Sequence, residues 1–276
     1  MNNRDYVIFN GVLTLKSEVR ISPFQSGLYY GDGCFETFRS YCGSFLHIDR
    51  HLNRLQQAMT YLRMPERDLN QALIGELLRR KDLADEDAMV RIQVWREGKR
   101  AYKLSEEDNV HMAVECDAYQ VKRDALKLIT SHVRTMPSKS GSLSFKLSSS
   151  QAYMLAAHDA QFSAADAALM LNQKGYISEV DVGNIFWIKD GRVFTPSESC
   201  DFIPGITRNI LLEMHDIEEG EFEPEALKRA DAAFVTNSMM EIRKISSLDH
   251  IDFKTDIPLL EELISSFSTY RNKNLK

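Results

Sequence analysis

The sequence has no long hydrophobic run and no concentration of positive charge. None of its apolar stretches approaches the roughly 18 residues that suggest a membrane-spanning helix. Residues 1–6 are polar and lack the apolar core of a signal peptide. The 34 basic and 40 acidic residues are mixed along the chain and give a net charge of −6, so no basic surface for nucleic acid is predicted. We therefore expect a cytoplasmic protein that binds neither membrane nor nucleic acid.

Cysteine is scarce, and the common glycine-rich nucleotide motifs are absent. The four cysteines (Cys34, Cys42, Cys116 and Cys200) form no C-x-x-C pair, and the histidines have no ligand spacing with them. Without a secretion signal, this pattern is typical of reduced thiols, and we expect no metal site. There is no G-x-G-x-x-G sequence, no Walker loop and no internal repeat. A dinucleotide-binding Rossmann fold is therefore not predicted.

The composition that is present is that of an ordinary globular protein, and its turn signals predict several β-hairpins. Hydrophobic residues make up 43% and charged residues 27% of 276 residues, which excludes a disordered chain, collagen and a coiled coil. Asn10-Gly11 joins predicted strands 6–9 and 12–15, the strongest two-residue hairpin signal. Further hairpins are predicted over 167–180 and 185–195, a loop over 23–33, and helices over 50–63, 69–81, 148–161, 207–215, 224–230 and 258–270.

Strands and helices do not alternate regularly along the chain, which favours an α+β fold with antiparallel or mixed sheets. A chain of this length forms one or two domains. A polar stretch interrupts the strand pattern and predicts a boundary. We predict a small N-terminal domain at 1–117, an interdomain loop at 118–124 and a larger C-terminal domain at 125–276.

Lys146 is the first candidate for chemistry. It stands between apolar neighbours in L-S-F-K-L at 143–147, directly before the predicted helix start. Burial and the positive end of a helix both favour the neutral amine, which is the form that attacks a carbonyl. The alternative is a lysine whose stem is buried while its ammonium reaches water. From these residues alone, that alternative is favoured.

Two segments could hold a phosphate. G-I-T-R at 205–208 places a glycine and Thr207 at a helix start, where backbone N–H groups and a hydroxyl are available to an anion. T-N-S at 236–238 ends a strand with small polar groups and could provide a second contact. Ordinary helix capping and a plain turn are the alternatives.

Other polar side chains are less informative by themselves. Alternation places Glu179 on the same strand face as Ile177, where a carboxylate needs a partner such as a protonated ring nitrogen. An edge position in water is the alternative. Arg54 lies away from the apolar face of its helix, so periodicity predicts that it faces solvent. Arg100 and Tyr102, in a charged loop, could hold a substrate carboxylate or belong to a solvated loop.

Together these residues resemble the class IV aminotransferases, the fold type IV enzymes that use pyridoxal 5'-phosphate (PLP). This family includes branched-chain and D-amino-acid transaminases and 4-amino-4-deoxychorismate lyase. G-Y-I-S-E-V-D-V-G-N-I-F at 175–186 is similar to the family signature, in which Asn follows Glu by five residues, and P-G-I-T-R at 204–208 follows in the expected order. Y-G-D-G-C-F-E-T at 30–37 and H-L-N-R-L at 51–55 also match, so the likeness covers nearly the whole chain.

The resemblance implies a PLP cofactor and a role for each matching residue. Lys146 would form the Schiff base with PLP and then transfer the proton during the reaction. Glu179 would pair with the pyridine N–H. The phosphate would be held by Arg54, the amides of Ile206 and Thr207, and Ser238. This implication places Arg54 against a cofactor, in contrast to the periodicity argument.

The resemblance also implies the substrate-binding residues and the assembly. Tyr30 would line the substrate pocket, and Arg100 with Tyr102 looks like the loop that binds the substrate carboxylate. The family has two domains of the D-amino-acid-transaminase type, with PLP in the interdomain cleft. The family also forms dimers in which each subunit contributes to its neighbour's site, so the resemblance implies a homodimer that acts on a small amino substrate.

The resemblance leaves two activities open. Thr37 stands where branched-chain transaminases tend to have Gly, and a Thr there is held to assist catalysis in the lyases. T-N-S-M-M-E-I-R at 236–243 also resembles the lyase version. The Asn and Tyr common three and five residues after the lysine are Ser149 and Gln151 here, which weakens the branched-chain interpretation.

We favour 4-amino-4-deoxychorismate lyase, an enzyme of folate biosynthesis, over a branched-chain or D-amino-acid transaminase. An inactive PLP-binding module is a third alternative, disfavoured because the lysine–glutamate pair is retained.

Overall fold

The computed structural model describes residues 5–67, 69–105, 108–137 and 145–276. This part of the chain forms two compact units. The first extends to Gln120 and also includes Phe145–Ser149 and Asn274–Lys276, and the second comprises the rest of the described chain from Val121. The division groups Phe145–Ser149 with the N-terminal part, whereas the composition argument assigned all of 125–276 to one domain. The domain limits inferred from composition stay a prediction.

The first unit is built on a wholly antiparallel sheet. Its described elements are β1 (Tyr6–Phe9), β2 (Val12–Leu15), a 3-10 turn (Lys16–Glu18), α1 (Ser26–Tyr30), β3 (Gly33–Tyr41), β4 (Ser44–Phe45), α2 (Ile48–Tyr61), α3 (Gln71–Arg80), β5 (Ala88–Glu97) and β6 (Asn109–Ala118). The strand order is β2-β1-β6-β5-β3-β4. The first predicted hairpin is confirmed, with Asn10 and Gly11 at φ 50° and 80°, because a turn of this type needs positive φ at both positions.

The strands of this sheet present two chemically different faces. Buried and half-buried residues alternate strictly along β5 and along most of β6. Val90, Ile92 and Val94 belong to a hydrophobic core that also contains residues of α2 and α3. Since successive side chains point to opposite faces, Arg91 and Gln93 lie on the other face, which carries polar groups.

Phe145–Ser149 is an extended segment that pairs with β3. The Phe35 amide donates to the Lys146 carbonyl at 2.9 Å, and the Ser148 amide donates to the Gly33 carbonyl at 2.8 Å. Cys34 forms a bridge with Leu147. The segment thereby holds Lys146 at a fixed register beside β3.

From Val121 onward the chain forms a larger, mixed sheet with helices. Its described elements are β7 (Leu126–Arg134), α4 (Gln151–Phe162), β8 (Ala167–Leu171), β9 (Ile177–Val180), β10 (Asn184–Lys189), β11 (Arg192–Pro196), a 3-10 turn (Glu198–Cys200), α5 (Ile206–Met214), β12 (Ile217–Gly220), α6 (Pro224–Lys228), β13 (Ala232–Asn237), β14 (Glu241–Leu248), β15 (Ile251–Asp252) and α7 (Pro258–Asn274). The order is β12-β11-β10-β13-β14-β7-β8-β9, with β15 on β14. Three pairs (β11/β12, β14/β7 and β7/β8) are parallel and the others antiparallel. The predicted α+β class is confirmed. No helix in the described part of the chain is long and apolar enough to cross a bilayer.

Three local predictions were wrong. The loop predicted over 23–33 contains α1, which ends on Gly31 at φ 65°, a left-handed C-terminal glycine. α4 begins at Gln151 rather than at the predicted start, Ser148, because the Ser148 hydroxyl instead accepts from Gln93 Nε2 at 2.7 Å. α7 continues to Asn274, past the predicted end at residue 270.

Candidate functional site

Lys146 lies beside the polar face of β3. Its Nζ is 5.5 Å from the centroid of the Phe35 ring, and the guanidinium carbon of Arg91 is 4.1 Å from the same centroid. The Lys146 residue is half-buried. One aromatic ring thus contacts two cationic side chains, an arrangement that ring quadrupoles favour.

Thr37 stands two residues beyond Phe35 on β3 and therefore on the same face. Arg91 Nη1 donates to Thr37 Oγ1 at 3.4 Å, and Arg91 Nη2 donates to Gln93 Oε1 at 3.0 Å. Burial lowers the pKa of Arg91, while the charge of Glu115 acts in the opposite direction. Sequence analysis missed Arg91. The alternation of β5, which places this charged residue opposite the core, was the signal that could have found it.

A buried charged network occupies the opposite face of β3. Glu36 is 1% exposed, its Oε1 accepts from Arg54 Nε at 2.6 Å, and its Oε2 accepts from Arg54 Nη2 at 3.0 Å and from His51 Nδ1 at 2.9 Å. Burial by itself raises the pKa of Glu36, but the Arg54 charge and the hydrogen bonds from His51 and Arg54 outweigh it and hold the pKa at about 2. Burial and the charges of Arg54 and Lys146 lower the pKa of His51 against the opposing effect of Glu36.

This network corrects the periodicity argument for Arg54. The helical pattern predicted a solvent-facing side chain, yet Arg54 is buried because β3 supplies a carboxylate to it. Its contact with a phosphate stays a prediction. Sequence analysis also missed Glu36, although alternation places it on the same strand face as Cys34 and Phe38, which are both buried. A carboxylate on an apolar face needs a partner, and that was the available signal.

The three residues predicted to bind substrate are on the surface of the first unit. Tyr30 ends α1, and its ring centroid lies 5.1 Å from that of Tyr102. Tyr102 is 91% exposed, and Arg100 is also exposed. The structure brings the two tyrosine rings into contact. The substrate-binding role of the three residues stays a prediction.

The carboxylate of Glu179 is buried in the second unit, 3% exposed. Its Oε1 accepts from the Tyr153 hydroxyl at 2.6 Å and from the Ile203 amide at 3.1 Å. Burial, the Glu179 charge and the hydrogen bond to Glu179 all raise the pKa of Tyr153 above its usual range, so the hydroxyl stays protonated. The alternative placed Glu179 at a sheet edge in water. β9 is indeed the last strand of its sheet, but the carboxylate is buried, so the predicted exposure to water was wrong. Tyr153 was missed from the sequence.

Asn184, the asparagine of the signature, fixes the loop before α5. Its Nδ2 donates to the Ile203 carbonyl at 2.9 Å, and its Oδ1 accepts from the Gly205 amide at 3.0 Å. α5 then begins at Ile206, and both Ile206 and Thr207 are buried. The first-turn amides of such a helix, together with its dipole, suit an anion.

β13 brings a second polar group to this part of the unit. Thr236 pairs with Asn184 of the neighbouring β10. The Thr236 Oγ1 is buried and has no hydrogen-bond partner among the described residues, which is uncommon for a buried hydroxyl unless it meets a ligand or water. Ser238 follows in the turn after β13 and is half-buried. Sequence analysis named Ser238 and the segment around it but gave Thr236 no separate role.

Substitution of Gly205 should show how tightly this loop is built. A Cβ at position 205 would collide with Asn184 Oδ1, so Gly205→Ala is expected to displace the loop and lower the free energy of unfolding by about 1–3 kcal/mol, as measured by urea denaturation. Gly75→Ala is the control, since a Cβ there meets only the end of Arg79 at 3.7 Å. Alanine within α3 should instead stabilise by about 0.5–1 kcal/mol. Equal effects of both variants would contradict the loop argument.

Comparison with known proteins finds relatives that all belong to one enzyme family. A family model described as amino-transferase class IV matches residues 33–248. An aminodeoxychorismate lyase from Bacillus subtilis is 28% identical over 266 residues, covering 90% of this chain and 88% of that protein. A putative branched-chain-amino-acid aminotransferase from Methanocaldococcus jannaschii is 27% identical over 281 residues, covering 97% and 96%.

The fold is also found among solved structures. The branched-chain amino acid aminotransferase of Thermobaculum terrenum, in its PLP form, superimposes with a TM-score of 0.88 at 20% identity and covers 100% of this chain and 99% of that chain. At this identity the match establishes the architecture alone. The family model, in contrast, extends over more than half of the sequence and includes the Glu179 signature, the Gly205 loop and Lys146. By that match the chain belongs to the class IV aminotransferases, a family of PLP-dependent enzymes.

Proposed function

We propose that this protein is a 4-amino-4-deoxychorismate lyase, which releases pyruvate and 4-aminobenzoate. The observation that carries the proposal is Thr37, whose hydroxyl accepts a hydrogen bond from the Arg91 guanidinium, with the Phe35 ring contacting both Arg91 and Lys146. Similarity to lyases from Bacillus subtilis and Vibrio harveyi supports it. The proposal includes a place in folate biosynthesis, a homodimer and a cytoplasmic location.

The residues of the second unit fit a PLP molecule. The unpartnered Thr236 Oγ1 and the first-turn amides of α5 provide groups for a phosphate. Glu179 provides a buried carboxylate for a protonated ring nitrogen. The amides of Ile206 and Thr207, with Ser238, would hold the phosphate.

The residues of the first unit would supply the amine and a further phosphate contact. Lys146 is proposed as the amine that binds the cofactor aldehyde. Arg54 is proposed to contact the phosphate, and its guanidinium is already oriented through Nε and Nη2 by Glu36. Glu36 therefore fixes the geometry in which Arg54 would meet an anion.

The reaction needs a base, an acid and no second substrate. When bound, PLP supplies an electron sink for bond cleavage next to the amino group of the substrate. Lys146 takes the proton from the ring carbon that bears this amino group and can return a proton to the departing three-carbon unit. The Thr37 hydroxyl, polarised by Arg91, donates a hydrogen bond to the oxygen at which the C–O bond breaks. The atoms of the two products sum to those of the substrate, so no keto acid takes part.

A transaminase is the second candidate, favoured by the similarity to the Methanocaldococcus jannaschii protein named as a putative branched-chain-amino-acid aminotransferase. Transamination requires an amino acid and a keto acid in sequence, whereas the lyase reaction requires neither. Dependence on a keto acid therefore separates the two activities.

Turnover of 4-amino-4-deoxychorismate is expected without any added keto acid. The purified protein loaded with PLP should form 4-aminobenzoate and pyruvate in equal amounts, measured by fluorescence and by coupling to lactate dehydrogenase. Thr37→Val should reduce this rate by about 10²-fold, the range expected for loss of a hydrogen-bond donor to an oxygen that develops negative charge. Thr14→Val, in β2 of the same unit, is the matched control and should leave the rate unchanged. A strict requirement for 2-oxoglutarate and an amino acid would reject the lyase assignment.

A further inference from the structure

We propose that Tyr153 is a positioning residue that acts through Glu179, holding this carboxylate in the orientation that binds PLP. The inference rests on the role proposed above for Glu179. It concerns a residue outside the motifs at 30–37, 51–55, 175–186 and 204–208 that carry the family resemblance.

The geometry at Glu179 is that of a carboxylate held from two directions. Oε1 accepts the Tyr153 hydroxyl at 2.6 Å and the Ile203 amide at 3.1 Å. The first donor comes from α4 and the second from the loop that precedes α5. Two donors on one oxygen restrict rotation of the carboxylate about its terminal bond, which is otherwise a soft torsion. The direction of the second oxygen is thereby fixed as well.

Tyr153 is itself held in place by packing and by the backbone of α4. Its side chain packs against a buried cluster that contains Ala156, Ala168 and Met170. Its amide donates to the Ser150 carbonyl at 3.1 Å at the start of the helix. An aromatic side chain has few rotamers to lose, so its hydroxyl is a well-positioned donor.

The hydrogen bond joins a protonated phenol to an ionised carboxylate. A hydrogen bond to an ionised carboxylate is roughly twice as strong as one between neutral groups. The raised pKa of Tyr153 keeps the phenol protonated, so it donates to Glu179 and stabilises its anionic form. An anionic and oriented Glu179 is the form that can pair with a cationic ring nitrogen.

The test is PLP affinity, measured by fluorescence titration of the apo protein. Tyr153→Phe removes only the hydroxyl and is expected to weaken PLP binding by about tenfold. Tyr176→Phe is the matched control, because the Tyr176 hydroxyl makes no hydrogen bond among the residues that the structure describes. The PLP affinity of this variant should equal that of the parent protein. Each apo variant should still unfold in one cooperative thermal transition well above the temperature of the titration, so that a loss of PLP affinity reports positioning and not loss of the fold.

The coupling to Glu179 is tested by a double substitution. In a Glu179→Gln background, Tyr153→Phe should change PLP affinity by less than about twofold, because the effect passes through the carboxylate. An equal loss in both backgrounds, or no loss in the single variant, would overturn the inference while leaving the role of Glu179 intact. If Glu179→Gln alone leaves PLP affinity unchanged, the proposed role of Glu179 itself is rejected.

Discussion

Replacing Lys146 by alanine is expected to abolish the visible absorption band that PLP gives when it is bound to the protein through a Schiff base. Turnover should fall by about 10⁴-fold or more, since one amine is proposed to serve both as nucleophile and as general base. The structure supports this expectation because backbone pairing with β3 fixes the register of Lys146. The amine also contacts the ring of Phe35, close to the Arg91 guanidinium.

A matched lysine distinguishes this effect from general loss of positive charge. Lys127 is an exposed residue of β7, and Lys127→Ala should retain both the band and the rate. The measurement is an absorption spectrum of each protein after reconstitution with PLP and gel filtration. Survival of the band in Lys146→Ala would show that another amine binds the cofactor.

Glu36→Gln should strongly destabilise the first unit. It leaves the buried Arg54 guanidinium without its carboxylate, a change that typically costs about 3–5 kcal/mol. The sequence has two tryptophans, Trp95 in the first unit and Trp187 in the second. In a Trp187→Phe background, the fluorescence of Trp95 during urea denaturation therefore reports on the first unit. The Glu36→Gln midpoint should move to much lower urea.

The effect of Glu36→Gln should also depend on pH. The pKa of Glu36 is held at about 2, below its ordinary value of 4.5. A lowered carboxylate pKa stabilises the folded state at pH values above the unfolded pKa, and the contribution is lost as the pH falls through the folded pKa. The stability difference between parent and variant should hence be full at pH 6–7 and shrink between about pH 5 and pH 2.

The control for Glu36→Gln is an acidic residue with exposed partners. Glu76 pairs with Arg79 and Arg80 on α3, and both arginine side chains are more than half exposed. Exposed ion pairs contribute little, so Glu76→Gln should leave the midpoint nearly unchanged. Similar destabilisation by both substitutions would contradict a special role for the buried network.

Local sequence signals predicted the strands of the three hairpins better than they predicted the helix ends, whereas β12, β14 and β15 were not predicted. The Asn10-Gly11 hairpin was confirmed because two-residue turns constrain φ at both positions. The start of α4 was missed because the Ser148 hydroxyl has a tertiary partner in Gln93, which no local pattern contains. Helix α1 is only five residues long, too short for periodicity to appear.

The candidate site was predictable where its residues belong to motifs and unpredictable where partners come from distant segments. The signature around Glu179 was found directly, whereas Tyr153 lies 26 positions away and meets it only in the folded chain. The solvent exposure predicted for Arg54 was wrong because a helical wheel identifies the apolar face of a helix but cannot show a carboxylate on a neighbouring strand. A strand-alternation argument applied to Glu36 and Arg91 would have identified both.

The pairing of Phe145–Ser149 with β3 also limits how this protein can be recombined with its relatives. The first unit is discontinuous, because the chain enters the second unit at Val121 before it returns to β3. A hybrid gene with one junction near Gln120 would combine the β3 of one parent with the lysine segment of the other. Hybrids that keep this pairing native need additional junctions on both sides of Phe145–Ser149, so that the short segment is inherited together with β3.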